Sequence, residues 1–261
     1  MSLLRTSLLA LPLCLAACTT APPPRPPVNP DALWGLIQRD CTGPGAPRSD
    51  CLAVDEAPAR RDVLVKDAHG RFQFLLMPLD RVSGIESPGL LAAGAPNYFA
   101  AAWAARRHTE TALGQPLPRD VASLALNSAH GRSQHQLHIH VDCLRADVLA
   151  QLQGMDAAIG SQWQRLPQPL RGHVYQARRV AGEALQVNPV QLLAQGPAAG
   201  DDMGRWSLVV AGTGRDDRDP GFLLLATQAD AAADHQASGE ELQDHACAVV
   251  TGADAALDGV R

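Results

Sequence analysis

From Gln136 onward the chain alternates strictly, with Leu137, Ile139 and Val141 set between Gln136, His138, His140 and Asp142. Successive side chains of a strand point to opposite faces, so this period of two predicts a β-strand with one apolar face and one polar face. The polar face carries an amide, two imidazoles and a carboxylate in a row, each about 7 Å from the next. Such a strand needs a sheet around it and a core beneath it.

The rest of the chain can supply both. Its 261 residues are enough for one sizeable core, or one core with a smaller lobe. The 22 Gly and 20 Pro have no period, and mean hydropathy is −0.08, which excludes collagen, coiled coil and disorder. Lys66 is the only lysine, and the arginines are spread evenly along the chain rather than clustered. With 22 basic against 27 acidic residues the formal charge is −5, which opposes non-specific binding to nucleic acid or anionic lipid. No protein partner is implied.

The N-terminus reads as an address. Arg5, the uncharged run Leu8 to Leu15, and Leu15-Ala16-Ala17-Cys18 resemble a bacterial lipoprotein signal. Residues 1–17 are then the signal peptide, and Cys18 is the acylated N-terminus. Half of residues 19–30 are proline, so 18–30 form a lipidated tether of roughly 37 Å, and the folded domain covers 31–261. This organisation predicts a membrane-anchored lipoprotein facing the periplasm. With the signal removed, 21 basic residues stand against 27 acidic ones.

Export leaves Cys41, Cys51, Cys143 and Cys247 in an oxidising compartment, with three pairings open. Cys41 and Cys51 flank a Gly- and Pro-rich loop, so a local bridge there leaves Cys143 with Cys247. No spacing is C-x2-C, which makes zinc a poor alternative for the cysteines.

Hydrophobic patterning predicts a helix over 31–39 with Asp31 as N-cap, and a hairpin of strands 63–66 and 72–77 ended by Pro78. An Ala-rich helix over 96–113 buries Tyr98, Phe99, Trp103 and Leu113, and a strand follows over 121–126. The second half predicts strands over 173–180, 206–211 and 222–227, and a helix over 190–195 capped by Asn188 and Pro189. Asp201, Asp202, Asp216, Asp217 and Asp219 read as solvated turns rather than metal ligands.

The histidine face admits three chemistries: a solvated amphipathic strand, a zinc or copper site, or nucleophilic attack on phosphorus by one imidazole. Spacing alone does not choose. Just before it, Gly131, Arg132 and Ser133 form a turn able to offer a guanidinium, a hydroxyl and backbone N–H groups to a phosphate.

Here the chain resembles known proteins. Gly131-x-Ser133 followed by Gln136-x-His138-x-His140 is similar to the histidine triad superfamily of nucleotide hydrolases and transferases. More narrowly, Arg81-Val-Ser-Gly-Ile-Glu-Ser-Pro88, Asn127-Ser128, Gly131-Arg132, Gln134 to His140 and Arg171 to Val180 resemble the bacterial CDP-diacylglycerol pyrophosphatase family, from about Trp34 to Cys247.

The resemblance implies an α+β fold, a histidine-triad-like antiparallel sheet flanked by helices, with a C-terminal α/β extension. It implies hydrolysis of CDP-diacylglycerol to CMP and phosphatidate, with His138 as nucleophile, His140 as the third triad position and Gln136 in place of the first histidine. Ser133, Arg132, Gly131 and Asn127 are candidate substrate contacts, and Arg81 and His173 are further cationic candidates. No cofactor or metal is required by the resemblance, and H-E-x-x-H, G-x-S-x-G and P-loop signatures are absent from the sequence. The alternatives are a broader nucleoside diphosphate-X pyrophosphatase, or a lipoprotein that binds a nucleotide or metal without turnover.

Overall fold

The computed structural model describes residues 29–214 and 219–252. Among them, nine strands form one antiparallel sheet: β1 (Cys51–Asp55), β2 (Asp62–Lys66), β3 (Phe74–Pro78), β4 (Ala122–Leu126), β5 (Ile139–Cys143), β6 (Gln164–Arg165), β7 (Gln176–Ala181), β8 (Trp206–Thr213) and β9 (Gly221–Gln228). Their spatial order is β1-β2-β3-β5-β4-β8-β9-β7-β6. The expected α+β architecture of sheet and flanking helices is present. The C-terminal extension continues the same sheet through β8, β9 and β7.

Helices cover the sheet where its faces are apolar. The expected Ala-rich helix, α2 (Tyr98–Leu113), follows the short α1 (Ala32–Leu36) and buries Phe99, Ala102 and Trp103. Its N-terminus is closed by Asn97, whose Oδ1 accepts from the Ala100 N–H at 3.2 Å, and its C-terminus by Gly114 at φ 70°. Trp103 meets Phe222 edge to face with centroids 4.9 Å apart. Leu76, Leu124, Ile139 and Val141 join this main core. The opposite face of β2 and β3 packs Val63, Val65, Leu75 and Met77 against Ile37 and the Cys41–Cys51 bridge.

The hairpin, the strands 121–126, 206–211 and 222–227 and the helix near 190 are all found, the last as α4 (Pro189–Ala194) after α3 (Ala146–Met155). Asn188 Oδ1 accepts from the Val190 N–H, as the capping signal predicts. Other expectations need correction. Asp31 makes no capping bond, and its carboxylate pairs with Arg81 instead; the helix is one α turn continued by a π turn, Ile37–Cys41. The strand at 173–180 starts only at Gln176, because Leu170 and His173 exchange both backbone bonds in a tight turn. β1, α3 and β6 are additions.

Both cysteine pairs are bridged as expected, Cys41–Cys51 and Cys143–Cys247. Asp201, Asp202 and Asp219 are on turns, where Asp202 accepts from the Gly204 N–H at 2.8 Å. Asp216, Asp217 and the signal segment with Cys18 lie outside the described residues. No helix of the described residues is long and apolar enough to cross a membrane.

Candidate active site

β5 lies between β3 and β4, and this is what isolates its histidines. His140 pairs in register with Leu75 on one side and Ala125 on the other, so the three side chains share a face. A strap, residues 235–245, crosses that face. Its Gly239 permits the close approach, since a Cβ there would stand 2.9 Å from Val209 Cγ2 and 3.4 Å from Ala125 Cβ.

The polar face is therefore buried rather than solvated: Gln136, His138, His140 and Asp142 are 0%, 7%, 5% and 1% exposed. Regular strand geometry begins only at Ile139. Ahead of it the Leu137 N–H donates to Val82 O, and the Gln136 amide donates to Pro78 O and Asp80 O, both at 3.0 Å. Those bonds fasten the entry of β5 to the end of β3. The Gln136 side chain thus serves the backbone, and its main-chain carbonyl serves the histidine.

That carbonyl lies 2.6 Å from His138 Nδ1. A carbonyl only accepts, so Nδ1 carries the proton, and the neutral ring keeps its lone pair on Nε2. Burial is the main cause that holds His138 below its ordinary pKa, and the Arg132 charge adds to it against the pull of Gln136, Glu240 and Asp67. His140 stands edge to face with His138 at 4.8 Å and is held well below its ordinary value by burial and by His138. Its Nδ1 meets the Gln73 amide at 2.7 Å and Glu240 Oε1 at 3.1 Å. Its Nε2 is buried with no hydrogen-bond partner, a cost of about 1–3 kcal/mol unless a ligand or water completes it.

Two turns frame these rings. Ser128 Oγ accepts from the His130 and Gly131 N–H groups and donates to Gln236 O at 2.6 Å, which ties the Gly131 turn to the strap. A Cβ at Gly131 would be 3.0 Å from the carbonyl oxygens of Gln236 and Ala237, so any larger residue would push the strap back by a few tenths of an ångström. Asn127 Nδ2 donates to Glu240 Oε2 at 2.6 Å. Arg132 grips Glu86 with two bonds of 2.7 and 2.6 Å. Burial works to raise Glu86, but the Arg132 and Ser83 bonds outweigh it and keep the carboxylate ionised. Ser133 is exposed on the same turn.

The structure brings His138, His140, Asn127, Gly131 and Arg132 together about β5. Arg81 is instead an exposed partner of Asp31, over the Trp34 ring. His173 lies on Glu241, 2.8 Å away, further along the strap. Sequence reading placed Asp142 on the polar face without a role, and missed Gln73, Glu240 and His245. Glu240 is 113 residues from Asn127 and follows no motif. His245 was within reach: once Cys143 is paired with Cys247, the strap is pinned beside β5, and His245 Nδ1 lies 2.6 Å from Asp142. Burial pushes Asp142 up to about 6 against the bond from His245, and that bond raises His245.

The lowered values have a testable sign. A histidine depressed on folding stays neutral further as pH falls, so the midpoints of both rings lie below their ordinary value of 6.5. The unfolded chain binds those protons first, so the stability contribution is complete above 6.5 and is lost on acidification below it. Imidazole resonances of His138 and His140 should titrate with midpoints below 6.5 in NMR. A midpoint at or above that value would contradict the burial described.

A desolvated, neutral imidazole with one nitrogen committed and the other free, set beside a guanidinium, has the form of a nucleophilic phosphoryl-transfer site. The model of the CDP-diacylglycerol pyrophosphatase family matches residues 28–251. The CDP-diacylglycerol pyrophosphatase of Yersinia pestis is 45% identical over 228 residues, covering 85% of this chain and 86% of that protein. The chain belongs to the CDP-diacylglycerol pyrophosphatase family.

Proposed function

We propose that this chain hydrolyses CDP-diacylglycerol to CMP and phosphatidate through a cytidylyl-histidine on His138. Family membership supports the substrate and the overall hydrolysis. The observation that carries the intermediate is the bond from His138 Nδ1 to the Gln136 carbonyl, which leaves Nε2 as the free lone pair.

Nε2 attacks the phosphorus attached to cytidine, in line with the bridging oxygen. The P–O bond breaks, and phosphatidate leaves as a stabilised phosphate, which needs less acid assistance than an alkoxide. Water then cleaves the P–N bond, and CMP leaves with the imidazole restored. Arg132, whose buried Nε has no partner, holds developing charge, and the orphaned His140 Nε2 is poised for a substrate oxygen or the attacking water. Glu240 and Gln73 orient the His140 ring, and Asn127 fixes Glu240.

The signal-like N-terminus supports acylation at Cys18 and a periplasm-facing anchor, which would hold the site at the surface where its lipid substrate is concentrated. The first measurement is release of CMP from CDP-diacylglycerol in detergent micelles containing EDTA, followed by peptide mass analysis after rapid quenching. CMP release with a cytidylyl adduct on the His138 peptide is expected. Turnover without any such adduct under single-turnover conditions would favour direct attack by water. Mass analysis of the mature protein should place its N-terminus at lipidated Cys18; a different start would remove the anchor.

A further inference from the structure

Three side chains outside this scheme converge at the far end of the strap. His173 comes from the turn before β7, and His235 and Glu241 come from the start and middle of the strap. One ligand atom from each lies within 4.8 Å of the others. His235 is 6% exposed, while the His173 and Glu241 side chains are 29% and 19% exposed, so the group is sheltered yet reachable.

The surrounding bonds prepare the donors. Thr227 Oγ1 donates its proton to Val174 O at 2.8 Å, so toward His235 it can only accept. His235 Nε2, 2.9 Å away, therefore carries the proton, and His235 Nδ1 keeps its lone pair. The Tyr175 hydroxyl donates to Glu241 Oε1 at 2.6 Å. A histidine whose other nitrogen donates to an oxygen, beside a carboxylate held by a hydroxyl, is the outer arrangement that orients metal ligands.

We propose that His173, His235 and Glu241 bind a divalent cation of the zinc class through two nitrogens and one oxygen, with a fourth position left to water. Magnesium and calcium favour all-oxygen sets, whereas imidazole with one carboxylate suits zinc. His173 Nδ1 faces the two Glu241 oxygens at 3.0 and 2.8 Å, so the ion takes the place of the proton shared there. That proton passes through solvent to His173 Nε2, and the ring stays neutral. Tetrahedral bonds of about 2.05 Å set ligand atoms about 3.3 Å apart, so the group contracts on binding. The two rings, now stacked at 3.7 Å, open, and His173 is the one that turns because it is the more exposed. Loading would pin Glu241 beside Glu240, the residue that orients His140.

The test is isothermal titration of the full chain in detergent, freed of metal by chelator dialysis, with zinc chloride. One equivalent is expected in the wild type, in His138→Ala and in His140→Ala. His173→Ala and Glu241→Gln should weaken binding by more than about 100-fold, beyond the loss usual for an outer-sphere partner. His173 is the most exposed of the three, so its variant is the safer folding control, checked by circular dichroism. Cobalt(II) gives a second readout, with the visible bands of a tetrahedral site expected in the wild type and absent in His173→Ala. Failure of the wild type to bind one equivalent would overturn the assignment. So would loss of binding in His138→Ala or His140→Ala with retention in His173→Ala, which would move the metal to the catalytic histidines.

Discussion

His138→Ala is expected to lower kcat by at least about 10⁴-fold, the scale on which enzymes lose turnover with their nucleophile. No neighbour can replace it. His140 is held by Gln73 and Glu240 at its Nδ1, and the guanidinium of Arg132 has no lone pair to attack with. The buried ring leaves a cavity, so a loss of about 1–3 kcal/mol is expected, with the native circular dichroism retained. His140→Ala should slow turnover by a smaller factor, because in the proposed mechanism that ring only contacts a substrate oxygen or the attacking water. Gln136→Ala should be milder still, since the group that holds His138 is the Gln136 main-chain carbonyl, which alanine keeps. Initial rates with CDP-diacylglycerol read all three. Near-normal turnover in His138→Ala, with abolition in His140→Ala, would reverse the two roles.

The second large effect is expected from replacing Cys143 and Cys247 together by alanine. The bridge spans 104 residues and joins the end of β5 to Cys247, just past the strap, with both cysteines fully buried. Loop-closure entropy gives about 4.7 kcal/mol for a loop of that size and about 2.7 kcal/mol for the 10-residue separation of Cys41 and Cys51. A measured loss of about 2–5 kcal/mol is expected for the longer bridge. Activity should fall with it, because the strap carries Gln243, which donates to His140 O at 3.2 Å, and Glu240, which meets the same ring. Replacing Cys41 and Cys51 should cost stability with much less activity, as that bridge closes a short loop against β2 and β3 and does not anchor the strap. Equal losses of activity in both double variants, measured well below their melting temperatures, would contradict a strap that positions the site.

Local order was legible where one residue pattern dictates it. The period of two placed Ile139, Val141 and the histidines on opposite faces, and Asn188 caps its helix where the capping signal set it. The burial of the histidine face was hidden, because what covers it is a segment of mixed polarity about 100 residues later. Gly239 and Gln243 have no periodic signal, and their roles exist only against Val209, Ala125 and His140. The β1 strand was equally silent: its exposed Leu52 and Ala53 break the alternation, since an edge strand buries little of either face. Arg81 shows how a family motif and local geometry can part, for its guanidinium is engaged by Asp31 at the start of the domain.

The two margins of the sheet bear on how copies of this protein behave when crowded. Unpaired strand edges invite other chains to add to them. One margin, β6, is two residues long, and the other, β1, changes register between Cys51 and Ala53 and is stapled at Cys51 to the turn before it. A bulged, anchored edge on one side and a stub on the other offer no straight template for a tenth strand. Molecules held side by side at high local density can therefore meet through side chains without zipping into fibrils, while the histidines remain five strands from one margin and three from the other.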